Sequence, residues 1–132
     1  MKTTRVAYLD QDAEILGDGQ ASLLQRFSDG TPHLSESERR IRLGRFLFEQ
    51  DSALKRISSL SGGEKMRAAL ACVLFSENPP ELLILDEPTN SLDVDSIEQI
   101  ESALSNFKGA MIVISHDETF VENIGVTEQI QL

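Results

Sequence analysis

The chain has 132 residues, 40% of them hydrophobic, with 22 acidic side chains against 12 basic ones and a net charge of −10. That length allows one domain at most, with room for a substantial core. The charge excludes a general attraction to nucleic acid or anionic membrane unless a local basic face provides it.

The opening MKTTRVAYLD has no hydrophobic signal core, and no apolar run approaches the ~20 residues that span a bilayer. A single cysteine, Cys72, excludes an internal disulfide and fits a reducing compartment. The expected location is cytoplasmic. Arg5 to Leu9 is a short β-prone run that breaks at Asp10-Gln11-Asp12, leaving Gln11 at a strand tip. By itself Gln11 reads as a solvated loop residue.

From residue 12 onward the pattern turns helical, punctuated by Gly17, Gly19, Gly30 and Pro32. Leu23, Leu24 and Phe27 suit a short helix. Ser35 and Glu38 form a capping box ahead of a second helix, expected to carry Ile41, Leu43, Phe46 and Leu47. The same helix holds Arg39, Arg40, Arg42 and Arg45, which read as a salt-bridged surface rather than a nucleic-acid contact. His33 beside Pro32 is a plain loop residue.

Ser61 and Glu64 form a further capping box in LSGGEKMR, so a helix should start at Gly62 and bury Met66, Ala69, Leu70, Val73 and Leu74. Cys72 in that helix reads as packing. Two glycines in a first helical turn are each unfavourable by roughly 1 kcal/mol relative to alanine. They make sense where a ligand approaches the backbone. Bare N–H groups, a serine hydroxyl and the positive end of a helix dipole suit a phosphate.

Asn78-Pro79-Pro80 should close that helix, and Leu82 to Leu85 then reads as a strand buried on both faces of a parallel sheet. It ends on Asp86 and Glu87, with Pro88 enforcing a turn, and open α/β sheets place ligand chemistry beyond such strand ends. Two carboxylates there suit magnesium and water chemistry on a nucleotide phosphate, or equally an acidic strand end before a helix cap. Asp93 or Asp95 can cap a helix carrying Ile97, Ile100, Ala103 and Leu104, closed by Lys108-Gly109. Ala110 to Ile114 is expected as a second buried strand, ending on Ser115-His116-Asp117. A helix between two such strands makes a crossover unit. His116 would then lie near Glu87, free either to hydrogen-bond a phosphate oxygen or to cap the helix from Glu118 to Ile124. Val126 to Leu132 reads as a final short strand.

Gln11, LSGGEKMR, LLILDEPTNSLD and ISHD, in this order and spacing, resemble the ATP-binding-cassette (ABC) ATPases over essentially the whole chain. Glu64-Lys65 after the glycines, the DEPTN stretch and SHDETF at 115–120 make the F subfamily (ABC-F) the most similar, although that subfamily commonly has histidine where Ser91 stands. The resemblance implies an α/β fold: a partial P-loop NTPase core of parallel strands flanked by helices, with an α-helical subdomain. One partial ABC domain would span 1–132, with the helical subdomain at 12–77 and the core sheet at 1–11 and 78–132.

It also implies ATP and Mg2+ as cofactors and a second cassette as partner, with the ribosome as the place of action. Gln11 would touch magnesium and the attacking water. Asp86 would hold the hydrated metal, Glu87 would be the general base and His116 would meet the γ-phosphate. Ser61, Gly62 and Gly63 would contact the γ-phosphate of ATP held on the partner, and Asp93 would couple the two sites. The phosphate-wrapping loop G-x-x-x-x-G-K-[ST] is missing, since the chain contains no Gly-Lys dipeptide. The expectation is the C-terminal portion of a cassette, inactive alone, with apolar edges of the sheet left uncovered, which favours self-association. A fragment of a transporter's ATPase subunit and a non-catalytic half-cassette that regulates a partner are the competing readings.

Overall fold

A computed structural model describes residues 5–10, 12–90 and 92–125. Its centre is a parallel sheet of β1 (Val6–Leu9), β2 (Leu82–Asp86) and β3 (Ala110–Ile114), in the order β1-β2-β3. Val6 pairs with Leu82, Leu82 with Ala110, and Asp86 with Ile114. The register aligns the carboxyl ends of all three strands at one edge. Parallel neighbours need a crossover, and α4 (Val94–Ser105) supplies it between β2 and β3. A last short helix, α5 (Glu118–Asn123), follows β3.

Among the described residues only one face of the sheet is covered. Ala7, Leu9, Leu83 and Leu85 are buried in the core. On the opposite face Val6, Tyr8, Ile112 and Ile114 are each about half exposed. This corrects the expectation of strands buried on both faces. A continuous apolar run shows that both faces are suited to burial, but no described residue of this chain lies over the second. A contiguous apolar surface of this kind marks a contact site or an aggregation liability.

Between β1 and β2 the chain builds α1 (Leu23–Gly30), α2 (Glu36–Arg45) and α3 (Gly62–Leu74). Each starts on a serine whose hydroxyl oxygen accepts a first-turn N–H: Ser22, Ser35 and Ser61. Phe75 packs edge-on against Phe27 and Phe46, with centroids 6.2 and 5.9 Å away. Within α3, Met66, Ala69, Leu70 and Val73 are buried as the helical periodicity requires, and burial pushes the Cys72 thiol up to about 12. That value fits a packing role.

Several helix ends differ from the sequence pattern. α2 stops at Arg45, where Phe46 and Phe48 both donate N–H groups to the Leu43 carbonyl. This tight turn sends Phe46 and Phe48 inward and places Leu47 outside at φ 68°, while Ile41 is also exposed. α3 ends on Phe75, ahead of the prolines, and α4 ends at Asn106, ahead of Lys108-Gly109. Gly109 serves a close approach instead: a methyl there would lie 2.8 Å from the Glu81 carbonyl. The arginines of α2 are mostly engaged within the fold. Arg39 donates to the Thr31 carbonyl, Arg40 pairs with Glu36, and Arg42 lies over the Phe75 ring. Gln11 and the strand expected over 126–132 lie outside the described residues.

Candidate functional site

The strand tips bring together three of the expected residues. Asp86 is the last residue of β2, and Glu87 follows in the left-handed region at φ 51°. For a non-glycine residue that conformation costs on the order of 1–3 kcal/mol and persists only where the surroundings enforce it. Here the Glu87 N–H donates to the Ile114 carbonyl at 2.7 Å, the Glu87 carbonyl accepts from Asn90 N–H, and buried Pro88 follows. The turn aims the carboxylate across to β3, where Glu87 Oε1 lies 3.5 Å from His116 Nε2. The His116 side chain is 98% exposed, so nothing else in the described chain holds it. It does not cap α5. Asp117 does, its Oδ1 accepting from Phe120 N–H at 3.0 Å.

Asp86 has a partner that the sequence did not reveal. The Tyr8 hydroxyl donates to Asp86 Oδ2. Accepting that proton and lying close to the ring, the Asp86 carboxylate raises the Tyr8 pKa from 10.0 to about 12. Tyr8 pairs with Ile84, two residues before Asp86, so both side chains stand on the open face of the sheet. Alternation would have placed them together had the register of β1 on β2 been readable.

The second group sits at the start of α3. Ser61 Oγ accepts from Glu64 N–H at 3.1 Å, and Glu64 Oε1 accepts from Ser61 N–H at 3.0 Å. The hydrogen bond from the Ser61 backbone holds the Glu64 carboxyl below its usual range, with the Lys55 ammonium 3.5 Å away adding to it. Because Ser61 Oγ is used as an acceptor, its own O–H remains free to donate outward, beside the first-turn N–H groups that a helix cannot satisfy internally. A methyl group on Gly62 would meet no atom within 4 Å. The chain's own packing therefore does not require glycine there.

Asp93 caps α4, its Oδ1 accepting from Ser96 N–H at 2.8 Å. The hydrogen bonds from Ser96 hold its carboxyl below the usual range, helped by the Arg67 charge. Arg67 stacks over Phe48 at 4.9 Å and donates to the Phe46 carbonyl at 2.7 Å, linking α3 to the turn after α2. Burial pulls its pKa down. No hydrogen bond or ion pair among the described residues joins Ser61, Gly62 or Gly63 to Asp86, Glu87 or His116.

Among the described residues no group of three or more His, Cys, Asp or Glu side chains could cage a metal. Asp86 and Glu87 instead suit an ion that keeps its own waters and takes substrate phosphates as ligands, as magnesium does.

A protein-family model described as ABC transporter matches residues 2–90. The chain belongs to the ATP-binding-cassette family. Its relatives include F members of that family, and the chain is of that kind. ATP-binding cassette sub-family F member 3 of Mus musculus is 38% identical over 120 residues, 91% of this chain and 17% of the relative. YdiF of Bacillus subtilis is 44% identical over 119 residues, 90% of the chain and 18% of the relative. The ATP-binding protein Uup of Haemophilus influenzae is 38% identical over 122 residues, 89% and 18%. The chain thus spans about a fifth of the length of these relatives.

Solved cassettes share the fold. A dimeric cassette bound to ADP and Pi superposes with a TM-score of 0.68 at 22% identity, over 91% of this chain and 56% of that one. RNase-L inhibitor gives 0.71 at 24% identity, over 90% and 23%. The partial P-loop NTPase core expected from the sequence is therefore the fold observed. No helix among the described residues is long and apolar enough to cross a membrane.

Proposed function

We propose that this chain supplies the strand-tip catalytic groups and the signature helix of an ABC-F-type ATPase. In this reading residues 12–77 are the helical subdomain, and the whole protein couples ATP binding and hydrolysis to action on the ribosome. The observation that carries the reading is the pairing of Glu87 with His116 at 3.5 Å across adjacent strand tips, beside Asp86. A carboxylate and an imidazole so placed can take a proton from water and steady a phosphoryl oxygen, the two tasks that phosphoryl transfer leaves to side chains.

Glu87 accepts the proton of the attacking water as its oxygen bonds to the γ-phosphorus and the bond to the ADP oxygen breaks. His116 donates a hydrogen bond to a γ-phosphate oxygen. Asp86 and Gln11 would hold the hydrated Mg2+, which when bound would supply the charge that offsets the phosphate oxygens, and Gln11 would also meet the attacking water. Ser61, Gly62 and Gly63 serve the opposite surface, offering O–H and N–H donors to ATP held on a second cassette, with Asp93 at the junction between the two sites. Lacking a Gly-Lys phosphate loop, the chain grips no nucleotide by itself.

ATP turnover should therefore be silent with the purified chain and appear when a separate polypeptide carrying the phosphate loop and its preceding strand is added. Glu87→Gln should lower the turnover of that mixture by about 10²–10⁴-fold. Turnover by the chain alone, or a mixture indifferent to Glu87→Gln, would overturn the assignment.

A further inference from the structure

A cleft of about 890 Å³ opens at the amino ends of the strands, the edge opposite Asp86 and Glu87. Its walls come from the residues leading into the three strands and from the C-terminal ends of α2, α3 and α4. The half-buried rings of Phe75 and Phe107 and the ring of Pro80 supply apolar surface. Phe75 is already fixed edge-on against Phe27 and Phe46, so covering it orders no loose side chain.

The charge of the cleft runs against that of the chain. Arg5, Arg45 and Lys108 line it with one acid, Glu81, although acids outnumber bases 22 to 12 overall. Arg5 is committed, lying 4.0 Å from Glu81 and donating to the Pro79 carbonyl. Arg45 and Lys108 are exposed, and among the described residues neither has an acidic partner. Two uncommitted cations thus flank an aromatic floor whose Phe75 ring is held in place.

We propose that this cleft binds an acidic peptide segment, one that lays an aromatic or branched apolar side chain on Phe75 and Phe107 and carboxylates on Arg45 and Lys108. Nucleic acid fits less well. Its phosphate string extends well beyond the two cations, leaving most of its phosphates without a basic partner. A short acidic peptide feels mainly the charges within about 10 Å.

The probe is a fluorescein-labelled octapeptide alternating Glu and Phe, followed by anisotropy against the whole chain. Controls replace its Glu by Lys or its Phe by Ser, and a single-stranded RNA decamer is tested alongside. The expected result is saturable binding by the Glu/Phe peptide alone. Charge reversal by Arg45→Glu with Lys108→Glu should weaken it at least about tenfold, and the milder Arg45→Gln with Lys108→Gln pair should weaken it less. Helical circular dichroism should be unchanged in both. Affinity unaltered by either pair would mean that the peptide sits elsewhere, for instance on the open sheet face, and would overturn the proposal. Equal binding of the Lys/Phe peptide, or preferential binding of the RNA, would overturn it as well.

Discussion

Replacing Gly62 by alanine separates what the fold needs from what a partner needs. In the chain alone the added methyl meets nothing within 4 Å, and Gly62 is not among the residues with positive φ. No steric cost is therefore expected. Alanine restricts the unfolded chain, which stabilises by about 0.4–1 kcal/mol at a compatible position. For a domain of this size that raises Tm by roughly 1–5 °C. In an assembly where a phosphate oxygen sits on the backbone N–H groups at about 2.9 Å, the same methyl stands in the ligand's place. Turnover supported by a partner cassette should fall at least about tenfold, or 1.4 kcal/mol. The assay is a paired one, with thermal melting of the chain followed by circular dichroism, and ATP turnover of an intact cassette titrated with wild-type or Gly62→Ala chain. A lower Tm would show that the glycine is structural. Unchanged turnover would show that no phosphate approaches it. Either result refutes the reasoning.

Tyr8 is the chain's one tyrosine, so the rise in ultraviolet absorbance as a phenol ionises reports it alone. Its pKa is raised to about 12, so the stability supplied by the contact with Asp86 is fully present below pH 10 and is lost as pH rises through 12. Asp86→Asn should move the midpoint back toward 10, and identical midpoints in the two chains would deny the contact. Gly109→Ala puts a methyl 2.7 Å from the Phe107 ring and 2.8 Å from the Glu81 carbonyl. Phe107 can move, but that carbonyl is tied to the Ala110 N–H at 2.9 Å. Urea unfolding should show a loss of about 1–3 kcal/mol, and an unchanged midpoint would mean that the approach is looser than described.

Local features were the legible ones. Ser35, Ser61 and Asp93 announce helix starts because a cap and the N–H it binds lie within three residues. Asp86, Glu87 and His116 were readable because apolar runs stop at them. What depended on distant partners was not. The contact of Tyr8 with Asp86 needs the register of strands more than seventy residues apart. The left-handed turn at Glu87 depends on the carbonyl of Ile114. The apolar strands read as doubly buried because sequence records which faces are fit for burial but not what covers them.

That last mismatch bears on function, because it does not stand alone. At Gly62 the fold has no use for the missing side chain. His116 is held by Glu87 alone and is otherwise in solvent. Along β1 and β3, Val6, Tyr8, Ile112 and Ile114 expose apolar surface on the open face of the sheet. Each is unfavourable or purposeless if the chain is all there is. Each becomes ordinary if further protein covers the sheet and a phosphate lies against His116 on one side and a partner's phosphate against Gly62 on the other. If Glu87, His116 and Gly62 serve the phosphates proposed above, the open sheet face and these two sites are completed by atoms outside the described residues.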